Sequence, residues 1–269
     1  GERLPTAGEQ PVSAPEEVAA SSPGRNFAPI AESRLAPLGE GGGQQQQQQQ
    51  DSERLVHILN RCFDEIEAFV GRVGEAGRAR QMLQSGSAQS RGLLQMRARM
   101  PATEQFVETL KKVKLALNLL GRLEGRIHQP NAPELVHFLF TPLAVLVDSL
   151  GGVDLPSRVL SPLLTRQAIA LLKHCLSSRE SELWYSLGPA WTCNRQQWLQ
   201  EHGRPDQVPD YRLCFQDGWE PQLDPELLGQ EDVAALPSQF FRRRRRGGPN
   251  NGGGAFEAHQ YRKPRPINS

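Results

Sequence analysis

The spacing of apolar residues between positions 52 and 222 constrains the fold of this chain more than any other feature. Apolar side chains recur there at steps of three and four, which places them on one side of a helix. The first stripe consists of Leu55, Ile58, Leu59, Cys62, Ile66, Phe69, Val70 and Val73. The second consists of Phe106, Leu110, Val113, Leu117, Leu120 and Ile127. Its near-heptad spacing is typical of antiparallel helices that pack at shallow angles. The pattern predicts an all-α fold, an antiparallel helical bundle.

Shorter helices are predicted to follow the second stripe. Residues 133–150 are apolar nearly all round, so we expect this segment to be the central, most buried helix, kinked or restarted at Pro142. Ser161-Pro162 has the form of an N-cap and N1 proline for a helix through about Leu176.

Two further patterns predict the last helices. Ser177 and Glu180 form a capping box for a helix that ends at Leu187. Gly188-Pro189 then opens a last helix that ends at His202.

Both ends of the chain differ in composition from this middle region. Residues 1–51 contain scattered prolines, a run of three glycines at 41–43 and then seven glutamines at 44–50, and we expect a disordered linker there. Asp51 or Ser52 can cap the first helix, although glutamine also forms helices well enough to lengthen it at its start. The predicted organisation is therefore a disordered arm at 1–51, a bundle at 52–222 and a disordered basic linker at 223–269.

The net charge of +1 hides a marked asymmetry. Residues 238–269 contain eight Lys/Arg and one acid, which leaves −6 on the rest of the chain. The densest run consists of Phe240, Phe241, Arg242, Arg243, Arg244, Arg245 and Arg246. Such a run is compatible with a solvated linker, with weak contact to an anionic membrane, or with a nuclear-import or nonspecific RNA contact.

Three tryptophans recur at seven-residue spacing, namely Trp184, Trp191 and Trp198. One interpretation is core packing of two consecutive helices. The other is an exposed aromatic groove for a partner peptide, because Trp dominates interface hot spots. The break at Gly188-Pro189 means that the spacing alone does not place the three rings on one face.

The sequence contains no motif that indicates catalysis. It has no G-x-S-x-G, H-E-x-x-H, Walker glycine loop or dinucleotide-binding fingerprint. Cys175 follows His174 but lies beside apolar residues, so a core thiol is expected, and Cys175, Cys193, His202 and Cys214 are not spaced like a zinc site. We predict no catalytic residue, no cofactor, no metal and no membrane-spanning helix. Because the chain begins at Gly1 rather than Met, we expect a fragment of a longer protein.

Separated segments resemble one known family in the same order. They are 56–60 (VHILN) with 64–69 (DEIEAF), 118–120 (NLL), 135–143 (LVHFLFTPL), 160–164 (LSPLL), 183–188 (LWYSLG) and 217–221 (DGWEP). Together they resemble the spectrin-like helical region that follows the phosphotyrosine-binding domain in the epidermal growth factor receptor substrate 8 family. The resemblance covers about 55–221.

This resemblance implies a role beyond what spacing indicates. The family's proteins are cytosolic adaptors that link receptor tyrosine kinases to Rac activation and actin remodelling, with Abl-interactor and the exchange factor Son of sevenless as partners. The resemblance therefore implies a non-catalytic scaffold segment in the cytoplasm, also at plasma membrane ruffles. No functional residue of the family carries over, because its actin-binding, phosphotyrosine-binding and Src-homology-3 regions have no counterpart here. The alternative is a helical module that binds a partner or a membrane through the tryptophan region and the arginine run.

Overall fold

The structure is a computed structural model that describes residues 42–84, 91–202 and 208–228. Those residues form helices, turns and extended segments, so the prediction of an all-α helical bundle is confirmed. The helices are α1 (Gly42–Gln84), α2 (Arg91–Arg97), α3 (Thr103–Leu123), α4 (Ala132–Ser149), α5 (Arg166–Cys175), α6 (Ser178–Ser186), α7 (Pro189–Thr192) and α8 (Arg195–His202). Most of the two predicted disordered arms lies outside the described residues.

Helix α1 begins at Gly42, within the glutamine-rich segment, and not at the predicted caps Asp51 or Ser52. Glutamine is a good helix former, so the helix continues upstream of its apolar stripe. The Ser52 hydroxyl donates to the Gln48 carbonyl at 2.8 Å, one turn back, instead of capping a helix start. The predicted domain boundary between residues 51 and 52 therefore falls inside α1.

Helices α1 and α3 pack in opposite directions, as the two stripes predict. Arg126, just beyond α3, donates to Ser52 Oγ at 2.7 Å near one end of the pair. Further along, Lys112 Nζ lies 2.6 Å from Glu65 Oε2, and the next contact is an edge-to-face pair of Phe69 and Phe106 with centroids 4.9 Å apart. Residue numbers rise along α1 while those of their partners fall, which is the signature of an antiparallel pair.

The central helix is α3, and the prediction that residues 133–150 are the most buried is wrong. Every residue from 112 to 121 is buried, and α3 packs against α1, α4 and α5. Helix α4 runs without a break through Pro142, and its outer side leaves Phe138 47 % and Val145 36 % exposed. By length and composition alone α4 could span a membrane, but half of it is buried in the bundle, as expected of a core helix.

Cap chemistry explains where the shorter helices begin. The predicted capping box of Ser177 and Glu180 at the start of α6 is confirmed. Helix α5 starts at Arg166, not at Ser161-Pro162, because Thr165 caps it by accepting from Ala168 N at 3.1 Å.

The predicted last helix is divided in two. The side chain of Asn194 accepts from Gln197 N at 2.9 Å and starts a new helix, so α7 ends at Thr192 and α8 follows.

Candidate functional site

Two of the three predicted contact tryptophans are core residues. Trp184 is 1 % exposed and Trp191 is fully buried. Their indole N–H groups donate to backbone carbonyls, Trp184 to Trp191 at 2.8 Å and Trp191 to Pro156 at 2.8 Å. The prediction of an exposed groove is thus wrong for this pair, because both rings and both donors are satisfied inside the bundle. The alternative of core packing accounts for them.

Trp198 belongs to a separate apolar cluster with Leu163 and Val208. Its ring stacks on His202 with centroids 3.9 Å apart, and it is 8 % exposed. The break between α7 and α8 lies between Trp191 and Trp198, so the regular spacing does not produce one shared face. The other predicted contact residues, Phe240, Phe241 and the arginines from Arg242 to Arg246, lie outside the described residues. Their role stays a prediction.

A buried lysine at the middle of α3 is the most unusual group that the sequence patterns missed. Lys114 is fully buried, and its Nζ donates to the carbonyls of Val159 at 2.9 Å, Leu160 at 2.7 Å and Ala190 at 2.8 Å. Three acceptors match the three donors of an ammonium group. The nitrogen also lies 5.2 Å from the centroid of Trp191. Lys114 therefore joins α3 to α7 and to the irregular segment before α5.

The environment of Lys114 predicts a specific pH dependence of stability. Burial lowers the pKa of Lys114 well below its usual value of 10.5. Between the folded pKa of Lys114 and 10.5, the folded state therefore binds fewer protons than the unfolded state. The contribution of Lys114 to the free energy of unfolding rises with pH across this interval. That contribution is lost as pH falls through the folded pKa.

The variant Lys114→Met should remove that contribution. We expect the free energy of unfolding of the wild type, minus that of the variant, to increase between neutral pH and 10.5. Urea unfolding of both proteins across that interval measures the difference. A difference that is independent of pH would show that Lys114 titrates normally.

One turn further along α3, the side-chain amide of Asn118 forms three hydrogen bonds, all of them with backbone groups. Its Nδ2 donates to Leu163 O at 3.0 Å and to Leu227 O at 2.8 Å, and its Oδ1 accepts from Thr165 N at 2.8 Å. Gly121, the next residue on the same face, lies directly against the backbone of Ala168. These α3 residues hold the chain of 159–168 and the end of 208–228 against the central helix.

The segment 208–228 closes the bundle over α1 and α3. It has no helix, but it buries Tyr211, Leu213, Phe215 and Leu227 in the core. Because its backbone does not pair with a neighbouring strand, side chains of the helices must hold it in place. We call this segment the C-terminal strap.

Charged residues of α1 and α3 hold the turn at the middle of the strap. Glu65 accepts from Gln216 N at 2.6 Å and pairs with Lys112 at 2.6 Å, with both side chains mostly buried. Arg61 pairs with Asp217 and lies 5.2 Å from the Phe215 centroid. The outer part of this cluster is polar and partly exposed, with the Arg61 side chain 33 % and the Asp217 side chain 52 % exposed.

Two of the four cysteines, Cys62 and Cys175, are held as neutral thiols. Burial raises the pKa of Cys62 to about 12 and that of Cys175 to about 11, so both are thiols at neutral pH. His174 Nδ1 lies 2.7 Å from the carbonyl of Ala170, not aimed at a neighbouring thiol. Within the described ranges, His, Cys, Asp and Glu side chains do not gather in threes where a metal could bind.

Segments that are far apart in sequence meet around α3 and α1. His57 of the segment 56–60 contacts Trp219 of the segment 217–221, with ring centroids 5.3 Å apart. Asn118 binds the carbonyl of Leu163, which joins two further segments. The segments that carry the family resemblance are thus largely those that hold the bundle together.

Comparisons with known proteins agree with this architecture. A family profile described as the EPS8 spectrin-like domain matches residues 54–199. The chain is 40 % identical over 190 residues to human epidermal growth factor receptor kinase substrate 8-like protein 1, across 67 % of this chain and 26 % of that protein. It is 38 % identical over 179 residues to the mouse epidermal growth factor receptor kinase substrate 8, across 64 % of this chain and 21 % of that protein. The chain thus spans about a quarter of the length of such relatives. No solved structure matches.

Proposed function

The chain belongs to the EPS8 family, and on that premise we propose that it is a non-catalytic scaffold segment of a signalling adaptor. Its task is to hold flanking parts of the protein at a fixed separation and orientation. In this proposal the adaptor acts in receptor tyrosine kinase signalling to Rac and the actin cytoskeleton. Its partners are the actin-regulatory and Rac-exchange proteins, and it works in the cytoplasm and at plasma membrane ruffles.

The proposal rests on the hydrogen bonds that the buried polar side chains of α3 form with the backbone of other segments. Lys114 and Asn118 together make hydrogen bonds to backbone groups of α7, of the chain before α5 and of the strap. Groups that are fully occupied in this way cannot bind a substrate without unfolding part of the bundle. They instead give one defined arrangement of helices, which suits a spacer.

A replacement experiment in the natural protein tests the spacer role. Residues 42–228 are replaced either by an unrelated rigid helical bundle of similar end-to-end distance or by a flexible Gly/Ser linker. We expect the rigid bundle to preserve receptor-stimulated formation of GTP-bound Rac and the flexible linker to reduce it. Loss of signalling with both replacements would show that the surface of this bundle, not its rigidity, is required. Full signalling with both would overturn the proposal.

The second candidate is a module that binds a partner or a membrane. The run of Phe240, Phe241 and five arginines favours it, since each basic residue near an anionic bilayer contributes about 1 kcal/mol. The tryptophan region supports it less, because Trp184 and Trp191 are buried. Vesicle flotation of the chain with Arg242 to Arg246 changed to alanine tests the run: undiminished binding would exclude it as the contact.

A further inference from the structure

A second basic surface lies at one end of the bundle, where α1 extends beyond the start of α3. Between Glu75 and Glu104 the sequence has five arginines and no acidic residue. The rest of the chain outside the basic tail is acidic on balance, so this stretch concentrates positive charge at one place.

The fold brings two parts of this stretch into contact, at α1 and just beyond α2. Arg80 of α1 donates from Nε to the carbonyl of Ala98 at 3.2 Å, and Ala98 itself is 8 % exposed. Arg97 and Arg99 flank Ala98 in sequence, so both residues lie next to this contact. The three arginine side chains are exposed. We call Arg80, Met96, Arg97 and Arg99 the basic tip.

The arginines of the basic tip are not used to hold the bundle together by ion pairs. Among the described residues, neither Arg80 nor Arg97 nor Arg99 forms an ion pair, whereas Arg61 and Lys112 on the body of the bundle do. Arg80 also serves the fold through its hydrogen bond to Ala98. Concentrated like charge lowers stability by self-repulsion, so a cluster without acids is better explained by a ligand of opposite charge.

An apolar side chain stands among these charges. Met96 is 77 % exposed, the largest exposed fraction of the big hydrophobic residues that the structure describes. Basic residues with an interspersed apolar side chain suit the interface of an anionic bilayer, where the charges meet phosphate groups and the apolar chain enters the headgroup layer. An acidic peptide would match the charge but would leave Met96 unexplained.

We propose that the basic tip is a docking site for anionic phospholipid membranes. It orients the bundle with this end towards the bilayer and the acidic remainder of the body away from it. The contact is weak and sensitive to salt, because three exposed arginines without a lipid anchor give only modest attraction. It is distinct from the arginine run at 242–246.

Vesicle binding of the full chain tests the site, in a background in which Arg242 to Arg246 are alanine so that only the basic tip contributes. The probe is phosphatidylcholine vesicles with and without phosphatidylserine. We expect binding only when phosphatidylserine is present. Because each arginine contributes about five-fold to the partition coefficient, Arg97→Gln with Arg99→Gln should lower it by roughly 25-fold. Met96→Gln should lower it by a few-fold while leaving its salt dependence unchanged.

A charge-matched control separates the site from net charge. Arg54→Gln with Arg122→Gln removes two exposed arginines near the opposite end of the α1–α3 pair. This control should reduce binding much less than the double change at the basic tip. Circular dichroism of each variant confirms that the helices are intact. Equal losses for both double variants would overturn the proposal, as would equal binding to vesicles without phosphatidylserine. Loss of binding to soluble polyglutamate in the tip variant with unchanged vesicle binding would overturn it in favour of an acidic protein partner.

Discussion

Replacing Gly121 by alanine should destabilise the bundle strongly, although the change adds a single methyl group to a helix. A Cβ at this position would lie 2.5 Å from the backbone nitrogen and 2.7 Å from the Cα of Ala168. Backbone atoms cannot move aside like the end of a flexible side chain, so α3 and the start of α5 must separate. We expect a loss of about 3 kcal/mol in the free energy of unfolding, the upper part of the range for overpacked cores. Urea unfolding followed by circular dichroism measures it.

Gly77 provides a matched control for this substitution, since it also lies inside a helix. An added Cβ at Gly77 meets no atom within 4 Å. Alanine is a better helix former than glycine, so Gly77→Ala should stabilise the protein by about 0.5–1 kcal/mol. The same chemical change is thus expected to act in opposite directions at the two sites. Equal effects would mean that α3 and α5 do not approach each other as closely as described.

Replacing Asn118 by alanine should have the second large effect. The change leaves the Thr165 N–H and the carbonyls of Leu163 and Leu227 without their partner in a buried site. Leaving a buried polar group unsatisfied costs about 1–3 kcal/mol, and a carbonyl with a second lone pair falls at the low end. We therefore expect a loss of about 4 kcal/mol in total.

The Asn118→Ala change should also lower stability locally, at the end of the strap. Because Leu227 O is one of its partners, the end of the strap should become easier to open in the variant, which limited proteolysis can detect. Gln95→Ala, on the exposed side of α2, is the control and should change stability by less than about 0.5 kcal/mol. An effect of Asn118→Ala no larger than this control would show that the three hydrogen bonds contribute nothing.

The sequence alone was sufficient for the class of fold and for the main helix pair. The two apolar stripes predict α1 and α3 because burial of a helix face leaves a local signature with the period of the helix. The capping box at Ser177 and Glu180 was predictable for a similar reason, since all of its partners lie within one turn. The prediction that a helix starts at Ser161-Pro162 was wrong, because a residue outside that motif determines where α5 begins. Asn118 holds Thr165, and α5 starts after that residue.

Only the tertiary structure could decide which helix is central and what its polar residues do. Residues 133–150 are more apolar than α3, yet α3 is the more buried helix. This is possible because hydrogen bonds offset the cost of burying the polar groups of Lys114 and Asn118. Their acceptors are 45 to 109 residues away in sequence, so no local pattern indicates them. For the basic tip the sequence shows a stretch of arginines without acids, and the structure adds the contact of Arg80 with Ala98. The periodicity of apolar residues indicates which face of each helix is buried. The hydrogen-bonding partners of a buried polar group depend instead on which backbone segments lie within reach in the folded chain.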